Sequence, residues 1–79
     1  MPRYYFPIQN GDGSAPDDEG MELPDFEAAW IHAVAGARSM MSDSIRRGKL
    51  DLAAYIEIED EARAVLERVT FREAVTISH

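Results

Sequence analysis

The chain of 79 residues contains no cysteine and only two histidines. Without cysteine, disulfide bonds and thiolate metal sites are excluded. His32 and His79 are too few for a zinc site within one chain. Residues 1–9 include no apolar run long enough for a signal peptide or a membrane span, and this predicts a cytoplasmic protein without a membrane partner.

Positive charge is also scarce, because 8 lysines and arginines face 15 aspartates and glutamates, for a net charge of −7. A nucleic-acid-binding protein needs cations that displace counterions from phosphates, so we expect no nucleic-acid partner. The one basic cluster is Arg46, Arg47 and Lys49. We expect these cations to lie at the end of a helix, where they complement its dipole.

Hydrophobic residues make up 46% of the chain, which is enough for a packed core but, at this length, for only one small core. A core of this size supplies about 3 to 5 kcal/mol, and small domains without disulfides commonly gain further stability from a partner subunit. The composition therefore predicts a single domain, 1–79, that forms a homodimer or binds another protein.

Periodicity along the chain predicts an α+β fold: a small antiparallel sheet of three to four strands with one long amphipathic helix packed across one face. Turn-forming residues separate the periodic segments. Because Pro7 has no N–H to donate, the first strand either lies at a sheet edge or has the Pro7 nitrogen pointing away from the neighbouring strand. The predicted elements are a strand at 3–9, an acidic loop at 10–20, a possible short strand at 21–23, a helix at 25–47, strands at 55–59 and 64–71, and a tail at 72–79.

The helix has clear signals at both ends. Asp25 can accept a hydrogen bond from the first turn, and Gly48 can adopt the left-handed conformation that ends a helix. Between them, a spacing of 100° per residue predicts one broad apolar face that packs on the sheet. Its members are Phe26, Trp30, Ala33, Val34, Ala37, Met40, Met41 and Ile45.

The acidic loop offers carboxylates that calcium or magnesium would accept as ligands. The weak metal candidates are Asp12, Asp17, Asp18 and Glu19. The spacing does not match an EF-hand, because a loop that starts at Asn10 has alanine at position six and methionine at position twelve. A solvated turn is favoured, and a divalent-cation-binding domain that uses residues 12–22 is the alternative function.

No catalytic constellation is found. His32 can be written into a triad with Ser39 and Asp43, but seven residues of helix separate His32 from Ser39 by about 10 Å, beyond hydrogen-bond reach. We therefore expect a solvent-exposed histidine, no enzyme activity, no cofactor and no identifiable small-molecule substrate.

Two tyrosines on the sheet face opposite the helix are the predicted interaction residues. Tyr5 and Tyr55 would lie beside Glu57 and Arg68 on that face. Tyrosine buries a large area and keeps a polar tip, so it is frequent at protein interfaces. The sequence thus predicts a non-enzymatic interaction or regulatory domain that self-associates.

Three segments carry a resemblance to a known family: PRYYF at 2–6, DEGMELPDFEAA at 18–29, and Asp60-Glu61 before the last strand. In these the chain resembles a family of small bacterial proteins known only as a domain of unknown function. The resemblance implies no catalytic or binding residues. The element order is also similar in outline to small antitoxin domains of the HicB type, which makes a partner-binding role more concrete.

Overall fold

The computed structural model describes residues 1–11 and 13–76. Seven elements follow one another along the chain, and the α+β class predicted from the sequence is confirmed. They are β1 (Arg3–Tyr4), β2 (Ile8–Asn10), β3 (Gly13–Ala15), β4 (Met21–Glu22), α1 (Phe26–Arg46), β5 (Tyr55–Glu59) and β6 (Val65–Thr70).

α1 is held at both ends by local hydrogen bonds that the sequence specifies. The Asp25 side chain accepts a bond of 2.9 Å from the backbone N–H of Ala28. At the other end, the N–H of Gly48 donates to Ile45 and the N–H of Lys49 donates to Ser44, the two bonds of a Schellman motif. Gly48 has φ +79°, so the predicted left-handed cap is confirmed.

The strands form two antiparallel sheets that share a chain segment. The larger sheet has the order β3-β2-β5-β6, and β1 pairs with β4 in a second sheet of two strands. An isolated bridge between Tyr5 and Glu59 joins the two, because each backbone N–H of this pair donates to the other residue's carbonyl. The N-terminal segment therefore runs along β5 and contributes to both sheets.

α1 packs across one face of the larger sheet through its smallest side chains. Ala29, Ala33 and Ala37 are buried at consecutive helical turns, and small residues let the helix axis lie close to the strands. Ile56 and Ile58 of β5 lie beneath them. The buried core consists of Tyr4, Phe6, Ala29, Ala33, Ala37, Met41, Ala54, Ile56, Ile58, Val69, Phe71 and Ala74.

Six of the eight residues of the predicted apolar face of α1 lie in the core or pack against it, and the face differs from the prediction at Ala29 and at the helix ends. Ala29, absent from the predicted face, is fully buried, whereas Phe26 and Ile45 at the two helix ends are exposed. The sheet is shorter than the helix of 21 residues, so the ends of α1 extend beyond the residues that could cover them.

Within the part of the chain that the structure describes, no helix has both the length and the apolar character needed to cross a membrane.

The predicted strand 3–9 is divided into β1 and β2 in the structure. The backbone N–H of Phe6 donates to the side chain of Asp17, and Pro7 has no N–H to donate. The Pro7 carbonyl still accepts from Glu57 at 2.9 Å. The predicted loop 10–20 also contains β3, which pairs antiparallel with β2.

β6 covers Val65–Thr70 of the predicted strand 64–71. A bulge beside Ile58 and Glu59 shifts the pairing, so Val65 is exposed although Val69 is buried. In the predicted tail 72–79, residues 72–74 form a turn that buries Ala74, and residues 77–79 lie outside the described residues.

Candidate functional site

The face of the larger sheet that lies opposite α1 carries a group of aromatic and charged side chains. Because side chains alternate along a strand, Ile56 and Ile58 point to the helix and the residues between them point away. We call this surface the open sheet face. It comprises Tyr5, Tyr55, Glu57, Glu59, Arg63 and Arg68.

Tyr5, Arg63 and Glu59 form the first half of the open sheet face. The guanidinium carbon of Arg63 lies 3.5 Å from the centroid of the Tyr5 ring, a cation–π contact. The same guanidinium lies 3.2 Å from the Glu59 carboxylate and donates to the backbone carbonyl of Asp17 at 3.0 Å. Arg63 is thus fixed by three different groups, and the Glu59 side chain is only 16% exposed.

Arg63 occupies a backbone conformation that a residue with a side chain rarely adopts. Its φ is +66°, and it is the one non-glycine residue with positive φ in the described chain. The turn from β5 to β6 imposes this conformation, because the Asp60 carboxylate accepts from the N–H groups of Ala62 and Ala64. Such a conformation costs on the order of 1 kcal/mol, and the contacts of the arginine side chain offset this cost.

Tyr55, Arg68 and Glu57 form the second half. The Arg68 guanidinium carbon lies 4.7 Å from the Tyr55 ring centroid, and its Nε lies 3.5 Å from the Glu57 carboxylate. Glu57 and Arg68 are direct cross-strand partners, so the strand register places this pair. The Glu57 side chain is 13% exposed and the arginine lies above it at 60%.

The acidic loop is closed by Asp17. One carboxylate oxygen accepts from the N–H of Phe6 at 2.9 Å, and the other accepts from the N–H of Gly20 at 3.0 Å. Burial acts to raise the pKa of the Asp17 carboxyl. The N–H groups of Gly20, Phe6 and Glu19, together with nearby Arg63, outweigh burial and lower the pKa below its ordinary value of 3.8.

The four metal candidates do not form a ligand cluster in the described part of the chain. Asp12 lies outside the described residues. Asp18 and Glu19 have exposed side chains, and both oxygens of Asp17 already accept backbone hydrogen bonds. Over residues 1–11 and 13–76, no group of three or more histidine or acidic side chains is arranged to hold a metal ion.

His32 is half-buried, so the expectation of a solvent-exposed histidine is wrong. Its ring centroid lies 4.6 Å from that of Phe6, and the two planes are tilted by 57°. His32 lines a crevice between α1 and the acidic loop. The imidazole packs there on an aromatic ring.

Both predicted interaction residues lie on the open sheet face, together with Glu57 and Arg68. The roles of Arg63 and Glu59 were missed. Nothing in the local sequence indicates that Arg63 would reach Tyr5, 58 residues earlier. Asp17 was considered only as a metal ligand, although aspartate is also a frequent acceptor of backbone N–H groups in turns.

These observations define a small α+β domain with a helix on one sheet face and an aromatic and charged surface on the other. A family model described as Domain of unknown function (DUF6894) matches residues 3–72, and the chain belongs to that family. This confirms the resemblance to a domain of unknown function. No curated protein and no solved structure matches the chain.

Proposed function

We propose that this protein is a non-enzymatic interaction domain that self-associates through the open sheet face. The observation that carries the proposal is the arrangement of Tyr5 and Tyr55, each held by an arginine on a sheet face that α1 does not cover. Tyrosine and arginine are the residues most enriched at the energetic centres of protein interfaces.

Charge favours a second copy of the chain as the occupant of this face. The whole chain carries −7, so two copies repel one another at most orientations. On the open sheet face, Arg63 and Arg68 balance Glu57 and Glu59, and the local charge is zero. Two such faces can approach without net repulsion between them.

The side chains of the open sheet face are also ordered before any partner arrives. Arg63 contacts Tyr5, Glu59 and the Asp17 carbonyl at once. Long side chains lose about 0.5 to 1.5 kcal/mol each when an interface immobilises them, and existing contacts reduce that loss. Association through an ordered surface of this kind therefore costs less side-chain entropy than association through a face of mobile lysines and glutamates.

A non-catalytic role agrees with the position of the titratable groups. His32 is the one histidine within the described residues, and it packs on Phe6. The Asp17 carboxylate is occupied by two backbone N–H groups. The cation-binding alternative and the cytoplasmic location stay predictions, and we favour the interaction role.

The test is sedimentation equilibrium of the wild type and of two variants that add the same charge. Tyr55→Glu places a carboxylate on the open sheet face, whereas Ala35→Glu places one on the exposed side of α1. We expect a dimer for the wild type and for Ala35→Glu. For Tyr55→Glu we expect the dissociation constant of the dimer to rise by on the order of 10- to 100-fold.

Two results would contradict the proposal. One is a monomer at every protein concentration up to the millimolar range. The other is an equal effect of Tyr55→Glu and Ala35→Glu, because a general charge effect would not depend on the face. The melting temperature of both variants serves as the control that each remains folded.

A further inference from the structure

A second surface, at the C-terminal end of α1, is apolar at its floor and basic at its edge. We propose that it binds an acidic amphipathic segment of a partner protein. We call it the helix-end groove. It is lined by Arg38, Met41, Ser42, Ile45, Arg46, Leu50, Leu52 and Val75.

The apolar part of the helix-end groove is exposed to an unusual degree for so small a protein. Ile45 is 60% exposed, Leu50 48% and Val75 37%, and these side chains border one groove rather than lying scattered. Met41 and Leu52 join this surface to the core. A contiguous apolar patch of this kind marks a binding surface more often than isolated exposed residues do.

The groove is rigid on its C-terminal side. The Nε–H of Arg38 donates to the carbonyl of Ala74 at 2.6 Å, and Ala74 is itself buried. This bond holds the turn that carries Val75 against α1. The two walls of the helix-end groove are therefore fixed relative to each other.

The charge at the helix-end groove is opposite to that of the chain. Arg38 and Arg46 line it without an acidic side chain among its described lining residues, whereas Arg47 and Lys49 line a neighbouring crevice that also contains Asp43 and Asp51. The carboxylate nearest to Arg46 is that of Asp43 at 3.9 Å, and both side chains are more than two-thirds exposed, so this ion pair neutralises little. In a protein of net charge −7, this basic edge selects a partner that carries carboxylates.

The geometry suits a short helix better than a polyanion. From Arg38 to Ile45, the wall formed by α1 rises about 10 Å, which is two turns of a helix lying alongside it. Such a helix presents apolar anchors at positions i, i+4 and i+7 to a groove and charged residues to its edge. A nucleic acid would leave Ile45, Leu50 and Val75 uncovered, and the net charge would oppose its approach.

The experiment uses two synthetic peptides of 14 residues that carry a fluorescent label. Each has four leucines on one helical face, and the remaining positions are mainly glutamate in one peptide and mainly lysine in the other. Binding to the chain of 79 residues is followed by fluorescence anisotropy. We expect the glutamate peptide to bind at least 10-fold more tightly than the lysine peptide, with an affinity that falls as salt is raised.

Variants on α1 locate the binding site. Ile45 and Ile31 are both 60% exposed on the same helix, and only Ile45 lines the groove, so Ile31→Ala is a matched control for Ile45→Ala. We expect Ile45→Ala to weaken binding of the glutamate peptide by on the order of 5- to 10-fold, and Arg46→Glu by 10-fold or more. Ile31→Ala and Tyr55→Glu should leave the affinity unchanged.

Three results would overturn the inference: no binding of the glutamate peptide, equal binding of both peptides, or equal effects of Ile45→Ala and Ile31→Ala. A fourth result would also overturn the inference. If neither peptide binds and Ile45→Ala sediments with a lower mass than the wild type, the groove binds a second copy of the chain. Because Tyr55→Glu tests the open sheet face alone, failure of either proposal can be distinguished from failure of the other.

Discussion

Replacement of Asp17 by alanine tests whether one carboxylate closes the acidic loop. The substitution removes two hydrogen bonds, from the N–H groups of Phe6 and Gly20, that lie in a partly buried environment. Hydrogen bonds to a charged acceptor contribute about 1 kcal/mol or more each, so we expect a loss of about 2 kcal/mol in the free energy of unfolding. For a domain of this length, that loss lowers the melting temperature by roughly 8 to 16 °C.

The effect of Asp17 should depend on pH in one direction. The pKa of its carboxyl is lowered below 3.8 in the folded protein, so the unfolded chain binds this proton more readily. The stabilisation that the Asp17 carboxylate provides is therefore fully present above about pH 4 to 5. It is lost as the pH falls through the pKa that this carboxyl has in the folded protein. The difference between wild type and Asp17→Ala should shrink towards pH 3.

Urea denaturation at pH 7 and at steps down to pH 3 measures both effects. Asp18→Ala is the matched control, because it removes the neighbouring carboxylate, which is exposed. Asp17→Asn, which keeps one acceptor oxygen, should fall between wild type and Asp17→Ala. Equal stabilities for Asp17→Ala and Asp18→Ala, or a difference that stays constant between pH 7 and pH 3, would refute the reasoning.

Three further predictions concern the backbone, the core and the acidic loop. Gly20→Ala should cost about 2 to 3 kcal/mol in urea denaturation, because Gly20 has φ +67° and a Cβ there would lie 2.7 Å from a backbone carbonyl oxygen. Gly48→Ala, with φ +79° and open space around the residue, should cost only about 1 kcal/mol. Equal costs for Gly20→Ala and Gly48→Ala would contradict the effect expected from the backbone carbonyl beside Gly20. Ala37→Leu, at a position with 0% exposure, should cost about 1 to 3 kcal/mol by overpacking, whereas Ala35→Leu on the exposed side of α1 should be neutral within about 0.5 kcal/mol. Calcium or magnesium at millimolar concentration should leave the melting temperature unchanged, because both oxygens of Asp17 are occupied by backbone N–H groups, and a rise of several degrees would instead support the cation-binding alternative.

Features determined by short-range physics were predictable from the sequence. The cap at Asp25 and the left-handed Gly48 depend on hydrogen bonds within a few residues. The alternation of Ile56 and Ile58 with polar neighbours predicted the strand 55–59, which the structure gives as Tyr55–Glu59. Each of these signals lies within the element that it specifies.

Features that depend on distant pairing could not be predicted. β3 is exposed along its whole length, so Gly13–Ala15 carries no apolar alternation to announce a strand. The bulge that exposes Val65 arises from the register of β6 against β5. The half-buried position of His32 depends on its contact with Phe6, 26 residues earlier, which the periodicity of α1 alone does not indicate.

The open sheet face was only partly predictable for a related reason. Strand alternation predicted that Tyr55 and Arg68 share this face. The structure adds the contact between the Arg68 guanidinium and the Tyr55 ring. The contact of Arg63 with Tyr5 requires an arginine at φ +66°, a conformation that sequence patterns assign to glycine or asparagine. The turn geometry and the bridge between Tyr5 and Glu59 of β5 both had to be known before this contact could be seen.

The measurement that tests the proposed self-association most directly is a set of backbone amide NMR spectra recorded over a dilution series. The account predicts concentration-dependent shifts at Tyr5, at Tyr55 to Glu59 and at Arg68, with the exposed side of α1 unaffected. Spectra that do not change with concentration, or changes confined to α1, would contradict it.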